Sequence, residues 1–304
     1  MSWRRPAALL VLALLAGRGQ ALTVTDDAGR TVTLAGPAVR VVTLAPSLAE
    51  LVFAAGGGAS LVGTTALSDF PEAAKKVPRV GDASRLDVER VLALKPDLVL
   101  VWQRGALGRE IEQIGAAGIA LFQLEPRRLD DVPRAIDRLG VLLGHDAEAS
   151  GRAAQLRATL EALRRRHVGA APVRVFYQVW QRPLMTVGGA HLIDDVIALC
   201  GGVNVFARTD QLVPVVSAEA VVGADPEVIV TADETGGAAP AWQRAPAQSS
   251  LAAWRRHPQL TAVRRGWFFT LNGDTISRPG PRIGTGAESM CALLDEVRRE
   301  RGAR

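Results

Sequence analysis

One helix–strand unit occurs twice in this chain, and its repetition constrains the fold more than any other feature. Residues 87–102 read DVERVLALKPDLVLVW, and residues 217–230 read SAEAVVGADPEVIV. When the two are aligned on Pro96 and Pro226, each shows an apolar helical segment, a proline followed by an acid, and a buried strand. A chain with the same unit twice, 130 residues apart, is predicted to contain two similar α/β lobes.

Local patterns predict further elements near the start of the chain. Alternating β-branched residues flank Asp27–Gly29, which predicts a β-hairpin. Val39–Leu44 is typical of a buried strand. Ser47 and Glu50 then form an S-x-x-E pattern ahead of apolar residues, which predicts a capping box at the start of a helix.

A long helical segment interrupts the alternation of strands and helices. Residues 146–167, DAEASGRAAQLRATLEALRRRH, place Ala, Leu and Arg at helical spacing without a proline. They predict one helix of roughly 30 Å or more at 1.5 Å per residue. The sequence therefore predicts an α/β fold of two Rossmann-like lobes, at 22–144 and 171–304, joined by a single long rigid α-helix at 145–170. A cleft between two lobes is a preferred place for a small-molecule site.

Residues 1–21 carry the three-part pattern of a secretory signal peptide. Arg4 and Arg5 precede an apolar run, and small residues follow it near Ala21. The run is too short to span a membrane comfortably, so we expect an exported, soluble mature chain; a short anchoring helix is the alternative. Removal of this segment lowers the formal net charge from +5 to +2. The basic isoelectric point is therefore no argument for nucleic-acid binding.

No catalytic motif is found in the sequence. It contains no H-E-x-x-H, G-x-S-x-G or P-loop pattern, and GGGASLVG lacks the dinucleotide-binding spacing. The four histidines are dispersed, and His191 at the start of a helical segment is interpreted as a cap. Cys200 and Cys291 lie 91 residues apart, which fits a single disulfide in an exported chain better than a zinc site. We expect no bound metal and no enzyme activity.

Aromatic and polar residues follow several predicted strands, where α/β folds place ligand sites. Trp102 ends the strand of the first repeated unit, and Trp180 ends the strand RVFYQVW. An exposed Trp at such a position suits a large, flat, partly apolar ligand; core packing is the alternative for both. In the turn-rich segment 272–283, Asp274 and Arg278 offer an acceptor and several donors to a ligand edge. The alternative for that pair is a local salt bridge.

These segments together resemble the periplasmic cobalamin-binding proteins of bacterial corrinoid ABC importers. Those proteins belong to a helical-backbone class of metal-complex receptors that also bind haem and iron-siderophores. The resemblance covers about residues 39–300 and rests on six segments: VVTLAPSLAELVFAAG, LSDFPEAAKKVPRVGD, DVERVLALKPDLVLVW, LCGGVNVF, SAEAVV and RPGPRI.

The resemblance implies a class III periplasmic binding protein that holds its ligand between the lobes. Glu89 and Glu219, each seven residues before the proline of its unit, match the acids that dock onto the permease. Cys200 and Cys291 match the disulfide pair of the family. Trp102, Asp274 and Arg278 match positions that contact the corrinoid. Cobalamin would be a transported ligand, with no intrinsic cofactor.

The chain departs from the family at four cleft positions where an aromatic residue is expected: Leu67, Ala83, Val179 and Val213. Trp180 and Arg182, at a neighbouring strand end, could compensate for the missing rings. The main rival ligands are haem, which favours a Tyr, His or Met ligand, and anionic siderophores, which favour several arginines. An exported two-lobe enzyme is the alternative from another class, as is a purely structural partner protein.

Overall fold

The computed structural model describes residues 21–102, 107–233 and 241–303. Apart from Ala21, the predicted signal segment lies outside these residues. Within the described part of the chain, no helix is both long enough and apolar enough to cross a membrane.

The described chain begins with an antiparallel hairpin of β1 (Leu22–Thr25) and β2 (Thr31–Leu34). The buried carboxylate of Asp26 accepts hydrogen bonds from the backbone N–H groups of Ala28 and Arg30 and from the Arg30 guanidinium. The backbone N–H of Gln123 also donates to Asp26, which ties the hairpin to the following sheet. The hairpin predicted around Asp27–Gly29 is confirmed.

The first lobe is built on a four-stranded parallel sheet with the order β4-β3-β5-β6. Its strands are β3 (Val41–Thr43), β4 (Leu61–Thr64), β5 (Leu98–Val101) and β6 (Ala120–Gln123). Its helices are α1 (Pro46–Ala54), α2 (Val88–Ala93), α3 (Gly108–Ala116) and α4 (Asp131–Leu143).

The two faces of this sheet are covered by different helices. Leu98 and Leu100 of β5 belong to the cluster that contains the apolar residues of α1 and α4. Val99 and Val101 point to the other face and belong to the cluster that contains those of α2 and α3. β5 is therefore buried on both sides, which explains its uninterrupted apolar sequence.

The predicted interlobe helix forms as one unit, α5 (Asp146–His167), of 22 residues. Its buried residues Ala149, Ala153, Leu156 and Leu160 recur every three or four positions and form a single stripe. The other sides of α5 carry charged residues, and the helix packs against α4. A continuous helix with one packed stripe restricts lobe motion more than a flexible linker would.

The second lobe is built on a five-stranded sheet with the order β10-β7-β11-β13-β12, in which only β12 runs antiparallel to its neighbour. A separate hairpin is formed by β8 and β9. The strands are β7 (Val173–Gln178), β8 (Trp180–Gln181), β9 (Leu184–Met185), β10 (Gly202–Asn204), β11 (Val228–Asp233), β12 (Trp242–Arg244) and β13 (Phe268–Asn272). The helices are α6 (Leu192–Leu199), α7 (Ala218–Ala224), α8 (Thr261–Arg265), α9 (Gly273–Ile276) and α10 (Ile283–Gly302).

The second lobe is fastened internally by a disulfide. Cys200, at the C-terminal end of α6, is bonded to Cys291 of α10, as predicted. Both α6 and α10 also pack against α5. The two lobes and the long helix agree with the predicted fold class.

The repeated unit has the same local structure in both lobes. Asp87 caps α2 by accepting from the backbone of Arg90, and Ser217 caps α7 in the same way. Each helix is followed by a non-glycine residue in the left-handed region, Lys95 with φ 47° and Asp225 with φ 40°. The proline comes next in each lobe and prevents the helix from continuing.

The acid after each proline anchors the first strand, in chain order, of the main sheet of its lobe. The Asp97 carboxylate accepts from the backbone N–H of Arg40 at the start of β3, and Glu227 accepts from that of Arg174 at the start of β7. Both arginine side chains donate to the carbonyl of the C-cap residue of the repeated helix, Leu94 after α2 and Asp225 after α7. The repeat therefore reflects one structural module used once per lobe.

The predicted capping box is wrong. The first residue of α1 is Pro46, its N-cap Ala45 makes no side-chain cap, and neither Ser47 nor Glu50 caps the helix. Glu50 lies on a later turn, and its side chain is 1% exposed. The carboxylate has charged partners in the other lobe, which local sequence cannot reveal.

Candidate functional site

The cleft between the lobes contains two neighbouring cavities that meet at Trp102. The interlobe cavity has a volume of about 340 Å³ and is lined by both lobes, including Trp102, Arg127, His191, Val213 and Ser277. The N-lobe cavity has a volume of about 430 Å³ and is lined by the first lobe alone, including Leu44, Thr65, Leu67, Ala83 and Trp102.

The residues of the first lobe reach these cavities because parallel strands end at the same edge of a sheet. The segment after β3, the segment after β4, Trp102 after β5 and the segment after β6 all line them. Trp102 is half-buried and packs against the main core, so its ring has a fixed support. The strand-end rule thus located Trp102 from sequence.

Three of the four positions with missing aromatics lie at this cleft. Val213 lines the interlobe cavity, and Leu67 and Ala83 line the N-lobe cavity. Leu67 is 75% exposed and has φ 62°, an unusual conformation for a leucine. An apolar side chain held out in this way suits contact with a bound molecule.

Trp180 does not end the strand that precedes it. β7 stops at Gln178, the N–H of Val179 donates to the carbonyl of Met185, and Trp180 lies in the separate β8–β9 hairpin. Its ring is 51% exposed, and its Nε1–H donates to the carbonyl of Arg182 at 2.9 Å. Val179 is also exposed. The predicted continuous strand through Trp180 is therefore wrong because the chain turns at Val179.

Arg182 lies at a third cavity of about 220 Å³, in the second lobe, lined also by Gln178, Trp254 and His257. This cavity shares no lining residue with the two that meet at Trp102. Arg182 therefore does not line the cavities that contain Trp102, Leu67, Ala83 and Val213, although it lies beside Trp180.

Asp274 and Arg278 are brought together in an ion-pair network that joins the lobes. Arg278 donates to Asp274 at 2.8 Å, and it reaches across to Asp69 at 2.6 Å and to Glu50 at 3.3 Å. Although burial opposes ionisation of Asp69, the hydrogen bond and charge of Arg278 outweigh it and lower the pKa of Asp69. The network places charges of the second lobe directly on those of the first.

Glu50 is the centre of this network, and sequence reasoning missed its role. Its carboxylate accepts from Arg282 at 2.9 Å and 2.7 Å as well as from Arg278. The Arg282 guanidinium also lies over the ring of Phe70, 4.3 Å from its centre. A single acid within the apolar helix SLAELVFA was the available signal, since a buried carboxylate requires a charged partner.

A second polar contact joins the lobes elsewhere. Asp195 of α6 accepts from the backbone N–H of Leu129 at 2.9 Å and pairs with Arg128 at 3.2 Å. The lobes are thus connected by α5, by the Glu50 network and by this pair.

His191 lies in the wall of the interlobe cavity and caps α6, as predicted. Its Nδ1 accepts from the backbone N–H of Ile193 at 3.1 Å. Burial lowers the pKa of its imidazole, so the ring is neutral at neutral pH. The sequence identified the cap but not the position of the ring in the cavity.

Tyr177, the one tyrosine of the chain, is sealed inside the second lobe. Its side chain is 1% exposed, and burial raises its pKa to about 12. Within residues 21–102, 107–233 and 241–303, no group of three or more His, Cys, Asp or Glu could hold a metal ion.

The paired acids lie on corresponding helices of the two lobes. Glu89 and Glu219 are each in the first turn of their helix, α2 and α7, and both are exposed. Backbone N–H and Ser217 hydroxyl hydrogen bonds lower the pKa of Glu219, so it is ionised at neutral pH.

A family model described as periplasmic binding protein matches residues 41–275. The vitamin B12-binding protein of Yersinia pestis (strain Pestoides F) is 36% identical over 251 residues, which is 83% of this chain and 84% of that protein. The crystal structure of the periplasmic vitamin B12 binding protein BtuF of Vibrio cholerae matches with a TM-score of 0.75 and 31% identity, over 86% of this chain and 98% of that one.

Haem-binding relatives share the fold at lower identity. The periplasmic heme-binding protein RhuT from Roseiflexus sp. RS-1, in apo form, matches with a TM-score of 0.71 and 26% identity, over 85% of this chain and 98% of that one. The family match covers most of the described chain, and the architecture agrees with it. This chain belongs to the periplasmic binding protein family.

Proposed function

We propose that this chain binds vitamin B12 or a related corrinoid in the cleft at Trp102 and delivers it to an ABC transporter permease. One observation carries the proposal: a supported indole lies where two cavities meet, with apolar residues of both lobes around it. The similarity to vitamin B12-binding proteins supports it further.

A corrinoid has a broad ring with apolar faces and an edge of carboxamide groups, and the cleft offers partners for both. Trp102 can stack on a flat face, and Leu67, Ala83 and Val213 can pack around it. Thr65 lines the N-lobe cavity, and its buried hydroxyl makes no hydrogen bond to the described residues. A ligand amide could reach that hydroxyl only after a small movement of the residues that cover it.

The remaining predicted contacts would lie at the edges of the cleft. Trp180, with Val179 and Arg182 beside it, would contact the ligand only from the β8–β9 hairpin. Asp274 and Arg278 would act mainly by positioning the walls of the cleft. Both are already engaged in ion pairs, since Arg278 pairs with Glu50, Asp69 and Asp274. Four smaller residues in place of aromatics would leave a looser fit and a weaker affinity.

Delivery would use the two lobes as separate contacts. We propose lobes at 22–144 and 171–304 around an interlobe segment at 145–170, with residues 1–21 removed on export to the periplasm. Glu89 and Glu219 would dock onto permease subunits, one acid per lobe. The corrinoid would be cargo, with neither an intrinsic cofactor nor chemistry at the cleft.

Haem and siderophores fit the described cleft less well. Tyr177 cannot reach a ligand while it is buried, which argues against tyrosine-ligated haem. Anionic siderophores would need unpaired arginines, whereas Arg278 and Arg282 are paired with carboxylates and Arg127 pairs with Glu125.

Isothermal titration of residues 22–304 with cyanocobalamin, haemin and a ferric siderophore tests the proposal. We expect stoichiometric, submicromolar binding of cyanocobalamin, and about 30-fold weaker binding by Trp102→Ala, since a stacked aromatic contributes about 2 kcal/mol. Trp242→Ala is the matched control. Trp242 belongs to the edge strand β12, packs on Phe269 of the neighbouring strand β13, and lines neither of the cavities that meet at Trp102. If haemin or the siderophore bound and cyanocobalamin did not, the corrinoid assignment would be refuted.

A further inference from the structure

The imidazole of His191 is held in one orientation by the helix that it caps. Its backbone is extended, with φ −90° and ψ 143°, and its Nδ1 accepts the backbone N–H of Ile193 at 3.1 Å. The same side chain lines the interlobe cavity, to which Trp102 contributes from the other lobe. The ring therefore has Nδ1 committed to the protein, and the side chain belongs to the wall of the cavity.

The cap determines which nitrogen carries the proton. A backbone N–H can only donate, so Nδ1 must supply a lone pair. In a neutral imidazole the single proton is then on Nε2, which becomes a hydrogen-bond donor. The structure gives Nε2 no hydrogen-bond partner among the described residues, and Nε2 is not a sealed polar atom.

We infer that His191 is a specificity-determining residue that donates its Nε2–H to a carbonyl oxygen of the corrinoid edge and does not ligate the metal. This inference rests on the proposed function. A carboxamide-rich edge offers many carbonyl acceptors, and a cavity wall that presents a donor selects ligands with an acceptor at that point.

Metal ligation by the same ring would conflict with its surroundings. An Nε2–metal bond needs the lone pair of Nε2, so the proton would have to move to Nδ1. A protonated Nδ1 would face the N–H of Ile193 and break the cap of α6. As long as the cap is present, His191 can donate a hydrogen bond to the polar edge of a ligand but cannot occupy an open coordination position on the metal of the ligand.

Two substitutions separate the cap from the donor. In His191→Ser the hydroxyl can still cap the helix but cannot reach the ligand, whereas His191→Ala loses both functions. We expect both variants to bind cyanocobalamin about five- to tenfold more weakly than the unsubstituted protein, which is the range for one neutral hydrogen bond. Only His191→Ala is expected to melt at a lower temperature.

Nitrogen-15 NMR of histidine-labelled protein reads the donor directly. We expect the Nε2–H tautomer in the ligand-free protein, and slower exchange of that proton with water when cyanocobalamin is bound. Loss of packing alone would weaken binding by the variants but would not protect the Nε2 proton in the unsubstituted protein.

Aquacobalamin supplies the opposing test, because its cobalt has an exchangeable ligand. We expect its absorption spectrum to stay that of the free compound when it binds. A spectral change that is present with His191 and absent in His191→Ser would overturn the inference, as would equal affinity of the two proteins for cyanocobalamin. If the unsubstituted protein bound no corrinoid, the proposed function would fail together with the ligand named here, and the NMR spectrum of the ligand-free protein would still decide the tautomer.

Discussion

Replacing Glu50 with glutamine tests whether the charge network holds the lobes together. Glutamine has nearly the same shape as glutamate, but it is neutral and brings an NH₂ group where only acceptors are suitable. The carboxylate that it replaces is 1% exposed and accepts from both Arg278 and Arg282. We expect Glu50→Gln to lower the free energy of unfolding.

The size of the loss follows from what remains around the two arginines. Removing one partner of a buried ion pair costs about 3–5 kcal/mol. Here Arg278 keeps Asp69 and Asp274, and Arg282 is 19% exposed and keeps its contact with Phe70. The expected loss is therefore about 2–3 kcal/mol, or a melting temperature lower by about 4–6 °C in a chain of this length.

Thermal and urea unfolding of residues 22–304, followed by circular dichroism, measures the effect. The matched control is Glu161→Gln, which removes an acid that is 45% exposed and paired with Arg164 and Arg165 on the surface of α5. Its unfolding free energy is expected to change by less than about 0.5 kcal/mol. If Glu50→Gln behaved like this control, the lobes would not depend on the network and the reasoning would be wrong.

Three further predictions concern other parts of the molecule. Reducing the disulfide with dithiothreitol is expected to lower the unfolding free energy by about 4 kcal/mol, because it releases a loop of 91 residues; an unchanged urea midpoint would contradict this. Burial of Asp26 opposes its ionisation, but hydrogen bonds from Arg30 and the backbone of Gln123 lower its pKa below 3.8. Its stabilisation is thus complete above about pH 5 and is lost as the pH falls from the unfolded value through the lower folded value. Asp26→Asn should therefore flatten the dependence of the melting temperature on pH between about pH 5 and pH 2. The double substitution Glu89→Ala and Glu219→Ala should abolish corrinoid uptake by cells without changing affinity for cyanocobalamin, and normal uptake would exclude the docking role.

The elements that sequence predicted correctly are those whose signals are local. The long helix was predicted from residues 146–167 because helical spacing continues there without a breaker, and α5 has these bounds. The position of Trp102 at a strand end was predicted correctly, because the apolar strand after Pro96 ends directly before Trp102. The cap at His191 was likewise a nearest-neighbour effect.

The features that sequence missed depend on distant parts of the chain. Ser47 and Glu50 match a capping pattern, but Glu50 instead pairs with an arginine 232 residues away. The run RVFYQVW is typical of one strand. The backbone of Val179 instead pairs with Met185, so Trp180 lies in the separate β8–β9 hairpin. No local periodicity encodes either partner, so only the folded lobes show them.

The three connections between the lobes bear on how a bound molecule could leave. If α5, the Glu50 network and the Asp195 contacts hold the walls in place, hinge closure would add little, and a ligand would enter mainly through side-chain movement. The same contacts resist separation of the walls. A transporter that empties the cleft by spreading the lobes would have to break buried ion pairs, and the work of doing so would set a minimum energy for release.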